Sequence, residues 1–550
     1  MATHKDQLNA YTFARRRTVG AFLQPSSTGV EAEAPRALRA LLPSIVTGAL
    51  VLAAFGAWGM IKPGAPLGWD NTGENVLVGS ESTTRYVVLE TDGVKQLHPV
   101  LNLASAKLLL DPQKFKVLKV DEKVLDGPKL PHGATVGIPN APDRLPGSQA
   151  AAQQKVWAVC QQPAAGGGQA ARQAVFVLSQ SQASQVLTPL GTLTGAKALY
   201  VQGPDGVRYL VDGSGTRFPL GGATDATKSL LVRMLFDDSA QPEQVGAQWL
   251  ATLNLGSTLD FPVVPGFGQP STAPGLDARS NKVGMVVEAA SGAATHKYVV
   301  LKDRIAPVSE LTAHLLMNSQ QAVGFYPGDK EAAIPVAAAA VSPDTVTFYA
   351  DKGWPTAIPT QVNGTAVAGG SSSQTVCGVM YQGKVDAAGR PSLGAWAGPS
   401  FPVTTAGATS SVYVTPGSGL LYREVSGVAP APGSAASPAP APVPVPVPSP
   451  SAGAGAGDTD TLSGSVYLLT DTGLRYSLPA NNDSTAKGVG AGAGVGVGKT
   501  DTGGAVTGDQ ARTRLGYDKI DPTVVPQQWS QLLPKGPTLD TASARETQGA

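Results

Sequence analysis

The run AGVGVGKT at residues 493–500 ends in Gly498, Lys499 and Thr500, residue types with which a loop can hold a nucleotide phosphate. In that chemistry, backbone N–H groups and the lysine ammonium surround the anion while the threonine hydroxyl reaches a bound magnesium ion. Alanine stands here in place of the first glycine. A strand must also lie directly before such a loop and a helix N-terminus directly after it. Residues 479–492, PANNDSTAKGVGAG, carry no strand pattern, and 501–508, DTGGAVTG, mix glycines with β-branched residues that disfavour a helix. The best candidate for an acidic, magnesium-binding strand is 231–238, LVRMLFDD, but Arg233 interrupts its apolar run and it lies far upstream. The loop is therefore expected to be a low-complexity coincidence, with no catalytic residue and no cofactor. An ATPase using Lys499 and Thr500 is the rival.

Other chemistries find less. His4, His98, His132, His296 and His314 are scattered without metal-ligand spacing, and two distant cysteines, Cys160 and Cys377, cannot build a structural zinc site. Neither G-x-S-x-G nor H-E-x-x-H occurs. With a formal net charge of +1, nothing in the composition asks for a nucleic-acid partner. No metal, no nucleic acid and no enzymatic activity are expected.

The elements around these residues begin with 41–61, LLPSIVTGALVLAAFGAWGMI, an uncharged apolar run that as a helix would span about 30 Å, one bilayer core. Before it, Lys5, Arg15, Arg16, Arg17, Arg36 and Arg39 outnumber Asp6, Glu31 and Glu33, and a basic excess marks the cytoplasmic side. The expected topology is a cytoplasmic arm at 1–40, one membrane helix at 41–61, and a large periplasmic or extracellular part. Within the arm, Leu8, Tyr11, Val19 and Phe22 fall near helical spacing beside Arg15, Arg16 and Arg17, which suits anionic headgroups or a cytoplasmic partner. Both cysteines then lie outside, where oxidants let disulfides persist. They are expected to pair, two buried thiols being the alternative. A bond across so long a loop contributes about 5 kcal/mol on chain-entropy grounds.

One strand-turn-strand signature recurs along the outer part: YVVLETDGV from Tyr86, YVQGPDGVRY from Tyr200, YVVLKDRIA from Tyr298, YVTPGSGLLY from Tyr413 and YLLTDTGLRY from Tyr467. In three of these a glycine, Gly206, Gly419 or Gly473, follows where a tight turn wants positive φ. Residues 245–260 also align without a gap on 525–540, matching Trp249 with Trp529, Gly256 with Gly536, and Leu259-Asp260 with Leu539-Asp540. Each half carries one cysteine after an apolar-Pro pair, Ile138-Pro139 or Ile358-Pro359. The chain is expected to be internally duplicated. The fold class that follows is α+β: an elongated, β-rich, pseudo-twofold body of four repeats around a central core, the disulfide near the axis. The expected divisions are a linker at 62–83, repeat 1 at 84–130, the first half of the core at 131–190, repeat 2 at 191–280, repeat 3 at 281–340 and the second half of the core at 341–410. The last repeat occupies 411–426 and 464–540, interrupted by a Pro-rich linker at 427–463 and a Gly-rich one at 485–510, with a tail at 541–550.

The stretches QLNAYTFARRRTVGAFLQP at 7–25, LHPVLNLASAKLLL at 97–110, VGIPNAPDRLP at 136–146, WAVC at 157–160 and LLPKGPTLD at 532–540 together resemble the EccB family. That family is the single-pass membrane subunit of the type VII (ESX) secretion machinery of actinobacteria. The resemblance implies an elongated periplasmic body of four repeats flanking a disulfide-closed core. It also implies assembly with the EccC motor ATPase, EccD and EccE, contact with the mycosin protease, and several copies touching one another. Some family members are labelled ATPases, and here the only candidate loop lies in a linker. The two long insertions in the last repeat depart from the family's more compact form. A structural subunit is the expected function, with two alternatives: an ATPase, and a membrane-tethered module binding cell-wall polymer through rings such as Tyr200 and Tyr209.

Overall fold

The computed structural model describes residues 3–23, 37–61, 65–163, 171–187, 189–292, 294–326, 332–364, 375–385, 391–405, 410–426, 464–479 and 510–548. A first helix, His4–Leu23, has no buried residue. A second, Ala37–Ile61, runs for 25 residues, about 37 Å at the α-helical rise. Its side chains are described over 43–57, where Ile45, Leu50, Leu52 and Phe55 are exposed. Among the described residues no helix is long and apolar enough to cross a membrane, the run 43–57 alone being shorter than the roughly 20 residues a span needs.

Beyond Ala65 the described residues build a β-rich α+β body of five mixed sheets. The first holds β1 (Asn75–Gly79), β2 (Arg85–Thr91), β3 (Val94–Pro99) and β4 (Lys116–Val120), ordered β3-β2-β1-β4. The β2–β3 hairpin turns at Asp92 and Gly93, both at positive φ, which matches the right-handed twist of the flanking strands. β1 falls where a linker was expected; a five-residue run without an aromatic carries little strand signal, yet Val76 and Leu77 are fully buried.

The central sheet holds β5 (Lys155–Gln162) and β6 (Arg172–Ser179) from one half of the chain, with β17 (Thr375–Val385), β18 (Pro391–Gly398) and β19 (Ser410–Val414) from the other. Its order is β18-β17-β5-β6-β19. The second outer sheet runs β10-β7-β8-β9-β11, from β7 (Lys197–Gln202), β8 (Arg208–Val211), β9 (Thr216–Pro219), β10 (Glu243–Gln244) and β11 (Asn254–Leu255), with β16 (Thr360–Gln361) also on β7. The third runs β14-β13-β12-β15, from β12 (Val286–Ser291), β13 (Ala294–Val300), β14 (Ile305–Pro307) and β15 (Ile334–Pro335). The last runs β22-β21-β20-β23, from β20 (Leu420–Val425), β21 (Val466–Leu469), β22 (Arg475–Leu478) and β23 (Thr523–Pro526).

Four of the five signatures form the expected adjacent antiparallel strands: β2–β3, β7–β8, β13–β14 and β21–β22. The one at Tyr413 does not. β19 pairs in parallel with β6 in the central sheet, while β20 belongs to the last sheet, so the turn between them is a crossing from one sheet to another. Gly206 and Gly473 take the expected positive φ, but in the crossing Gly417 takes it in place of Gly419. Residues 231–238 are not a strand either: most of them lie in the helix Asp225–Leu235, whose N-cap Thr224 forms a capping box with Thr227.

Helices join the outer sheets in pairs. Leu311 and Leu315 of the helix Glu310–Met317 pack with Leu231 and Leu235, joining the third sheet's unit to the second's. The helix Leu103–Leu109 packs against Gln510–Leu515 and Thr541–Arg545, joining the first unit to the last. The expected tail is thus a docked element: Asp540 caps its helix through Ser543 N at 2.7 Å, Ala544 is fully buried, and Gln548 N donates to Thr135 O at 2.8 Å. Ala544→Arg forces a long cation into this seam, and an overpacked buried site costs about 1–3 kcal/mol or more. A lowered unfolding midpoint in a thermal scan is the expected result.

Candidate functional site

The two halves of the body meet where β5 pairs antiparallel with β17, and Cys160 stands directly opposite Cys377 in that register. The two are bonded, fully buried, and 217 residues apart in sequence, with Cα atoms 4.0 Å apart. Alternation sends the side chains of β5 two ways. Val156, Ala158 and Cys160 join Phe176, Leu178 and Trp396 on one face, while Trp157 and Val159 join Val175, Val177 and Met380 on the other. Neither face is left to water, which is why these strands read as continuous apolar runs.

The second face is covered by matching pieces of the second and last units. Trp249 and Trp529, paired by the sequence alignment, are both buried in this one cluster, and Trp249 Nε1 donates to Val159 O at 3.1 Å. The paired glycines are equivalent too. A Cβ on Gly256 would meet the Phe218 ring at 2.5 Å, and one on Gly536 would meet the Tyr476 ring at 2.5 Å. Beside Trp529, Arg475 Nη1 donates to Glu424 Oε2 and to Ser530 Oγ, each at 2.7 Å, and its guanidinium lies 4.9 Å over the Tyr467 ring. Ser530 Oγ lies 2.9 Å from the Tyr422 hydroxyl, whose pKa burial pushes up. Removing one partner of so buried an ion pair strands the other charge.

On the second sheet, the outer edge of β7 is covered in two pieces, β16 on Lys197 and Ala198 and β10 on Val201 and Gln202. The side chain of Asn363 fills the gap like a piece of backbone: its Oδ1 accepts from Tyr200 N and its Nδ2 donates to Tyr200 O, both at 2.9 Å. The same Nδ2 donates to Glu243 Oε2 at 3.2 Å. Glu243 is 8% exposed, and its Oε1 has no partner among the described residues. Burial pushes its carboxyl up to about 7, with the Asn363 amide pulling weakly the other way. Nothing in the sequence singles out Glu243 or Asn363; a glutamate in a two-residue strand gives no periodic signal.

Gly498, Lys499 and Thr500 lie outside the described residues; among those, the nearest strand before the loop ends at Leu478 and the nearest helix after it starts at Gln510. The histidines are not brought together. His98 Nδ1 meets Ala134 O at 2.8 Å, His132 Nε2 meets Leu125 O at 3.1 Å, and His314 Nε2 meets Met234 O at 3.0 Å. No group of three or more potential ligands could hold a metal among the described residues. Tyr200 and Tyr209 are buried, Tyr200 stacked on Phe236 at 4.4 Å, so neither ring is free to lie against a sugar.

The profile of a family described as "Type VII secretion system ESX-1, transport TM domain B" matches residues 1–550. This chain belongs to the EccB family. It is 27% identical over 360 residues to the ESX-1 secretion system ATPase EccB1 of Mycobacterium tuberculosis, covering 65% of this chain and 68% of that one. To the ESX-3 secretion system ATPase EccB3 of Mycolicibacterium smegmatis it is 29% identical over 303 residues, 51% of each chain. Its fold is similar to a chain of an intact ESX-5 inner membrane complex, at TM-score 0.56 and 20% identity over 100% of this chain and 96% of that one. It is also similar to the EccB3 dimer of the ESX-3 core complex, at TM-score 0.54 and 21% identity over 86% and 100%.

In this EccB chain the Arg475–Glu424 ion pair, the Tyr422–Ser530 contact and the Asn363–Glu243 contact each link separate segments of the body. Replacing both cysteines by alanine releases the constraint on the long loop, and a loss of about 5 kcal/mol in urea unfolding is expected. For Glu243 the folded value lies above the usual 4.5, so the folded state holds the proton more tightly. Its contribution is complete at low pH and is lost as pH rises from about 4.5 to about 7, in all about 3 kcal/mol. Glu243→Gln is expected to remove that slope, so that the variant unfolds at higher urea than the parent at about pH 8 and not at about pH 4.5.

Proposed function

We propose that this EccB chain is a structural subunit of a type VII secretion complex in the inner membrane. The helix Ala37–Ile61 crosses the bilayer, the basic arm 1–40 stays in the cytoplasm, and the disulfide-closed body stands on the outer side, shaping or organising the export path. The observation that carries this is the family match over residues 1–550. The exposed apolar side chains within 43–57, such as Ile45, Leu52 and Phe55, support the span. The body is two packed pairs of repeats, first with last and second with third, related by a pseudo-twofold axis near Cys160–Cys377 that makes the second repeat the sister of the last and the first that of the third. Matching tryptophans, matching glycines on aromatic rings and matching inter-unit helices support that symmetry. The partners are the EccC motor ATPase, EccD, EccE and a mycosin protease, together with further copies of this chain.

The name ATPase carried by the relatives favours a second reading, hydrolysis at Lys499 and Thr500. In the proposed role no residue performs covalent chemistry, and the sequence on either side of 493–500 carries neither the strand nor the helix pattern that phosphate binding needs. Purification of the full-length chain from gently solubilised native membranes, followed by mass spectrometry, is expected to recover a motor ATPase and multispanning subunits in one large complex. Recovery of the chain alone would count against the assignment. Lys499→Ala is expected to leave secretion unchanged; lost secretion with an intact complex would favour the ATPase.

A further inference from the structure

Leu67 is fully exposed, at 104% of its reference surface, on a turn that is rigidly built. Trp69 N donates to Pro66 O at 3.2 Å, and Gly68 at φ 75 supplies the left-handed residue that this type II turn requires at its third position. Asn75 Nδ2 ties Gly68 O to β1 at 2.9 Å, while the neighbouring Trp69 is buried in the core of the first unit beneath Lys129. A large apolar side chain is thus held outward by a turn with little freedom to withdraw it.

Chain length limits where this tip can be. Ala65 already packs on the core of the first unit, and the helix Ala37–Ile61 ends four residues earlier, a reach of at most about 14 Å. The polar layer on each side of a bilayer core is itself about 6 Å deep. If the helix spans and ends at the edge of the core, Ala65 stands no more than about 8 Å beyond that polar layer, so the first unit is held close beside the headgroups. The charges around the turn are balanced, Lys129 lying 2.9 Å from Asp70 and Lys95 opposite Glu90 in the strand register, so attraction there is apolar and not ionic.

We propose that the first repeat sits on the outer leaflet of the membrane with Leu67 inserted at the boundary between headgroups and acyl chains, fixing how the body is tilted on its anchor. This rests on the membrane-spanning assignment of Ala37–Ile61. The occupant is the lipid surface itself, taken by its apolar boundary whatever its headgroup charge.

Because Cys160 and Cys377 are bonded to each other, a single added thiol can be labelled on the full chain. Leu67→Cys and, separately, Phe55→Cys in the spanning helix would carry an environment-sensitive fluorophore after reconstitution in vesicles containing lipids with shallow or deep quenchers. The expected result is that shallow quenchers reduce the Leu67→Cys signal by about half or more, that deep quenchers reduce the Phe55→Cys signal, and that about 1 M salt, which shortens the screening length to about 3 Å, changes neither. Quenching at position 55 without quenching at 67 would overturn the docking and leave the span intact. No quenching at either would remove the span and the docking together. A signal at 67 lost in salt, or one that tracks protein concentration and ignores the quenchers, would replace the apolar contact with an ionic one or with a second copy of the chain.

Discussion

Everything in the body depends on one antiparallel contact, β5 against β17. Each strand comes with its own neighbour, β6 or β18, and without the contact the two-stranded β17–β18 is parted from β5–β6–β19, each piece too narrow to bury both of its faces. Joined, they make a sheet wide enough to carry the second and last units on one face. The bond between Cys160 and Cys377 acts on this contact alone. It closes a loop of 217 residues and so removes mainly the unfolded arrangements in which the halves drift apart.

The outer units are fixed to that sheet by bulk and by close approach. Trp249 and Trp529 each bring a large ring to the same cluster, while Gly256 and Gly536 let the backbone rest on Phe218 and Tyr476. A ring and a glycine at constant spacing serve as plug and clearance for one repeated joint. The polar groups add ties of their own: Asn363 completes the edge of β7 between two short partners, and Arg475 links β22 to Glu424 on β20 and to Ser530.

Much of this was legible in the residues. Aromatic-rich hairpins with a glycine turn announce themselves because side-chain alternation and positive φ leave local marks, as at Tyr200 to Tyr209 and Tyr467 to Tyr476. The gapless Trp-Gly-Leu-Asp match exposed the second and last units as sisters, since a ring and the glycine that fits its joint must stay at fixed separation. What could not be read locally is pairing chosen by distant residues. The Tyr413 segment has a hairpin's composition, but β19 finds a better edge on β6, some 240 residues upstream, and no local pattern reports that edge. The same holds for β16, which leaves its own half of the chain to cover β7, and for β1, buried by neighbours more than by its own composition. Glu243 is invisible for a related reason: its burial is created by Asn363, 120 residues away.

The docked helix Thr541–Arg545 has a consequence in time. The first sheet's unit is made long before part of its covering, Ala544 and the backbone at Gln548. Its helix Leu103–Leu109 therefore keeps apolar surface uncovered until Thr541–Arg545 is made, and contacts of such sequence separation form slowly. A chain truncated before Thr541 would present that surface permanently, so synthesis of the segment Thr541–Gln548 is a mark that a part of the molecule made long before it can recognise.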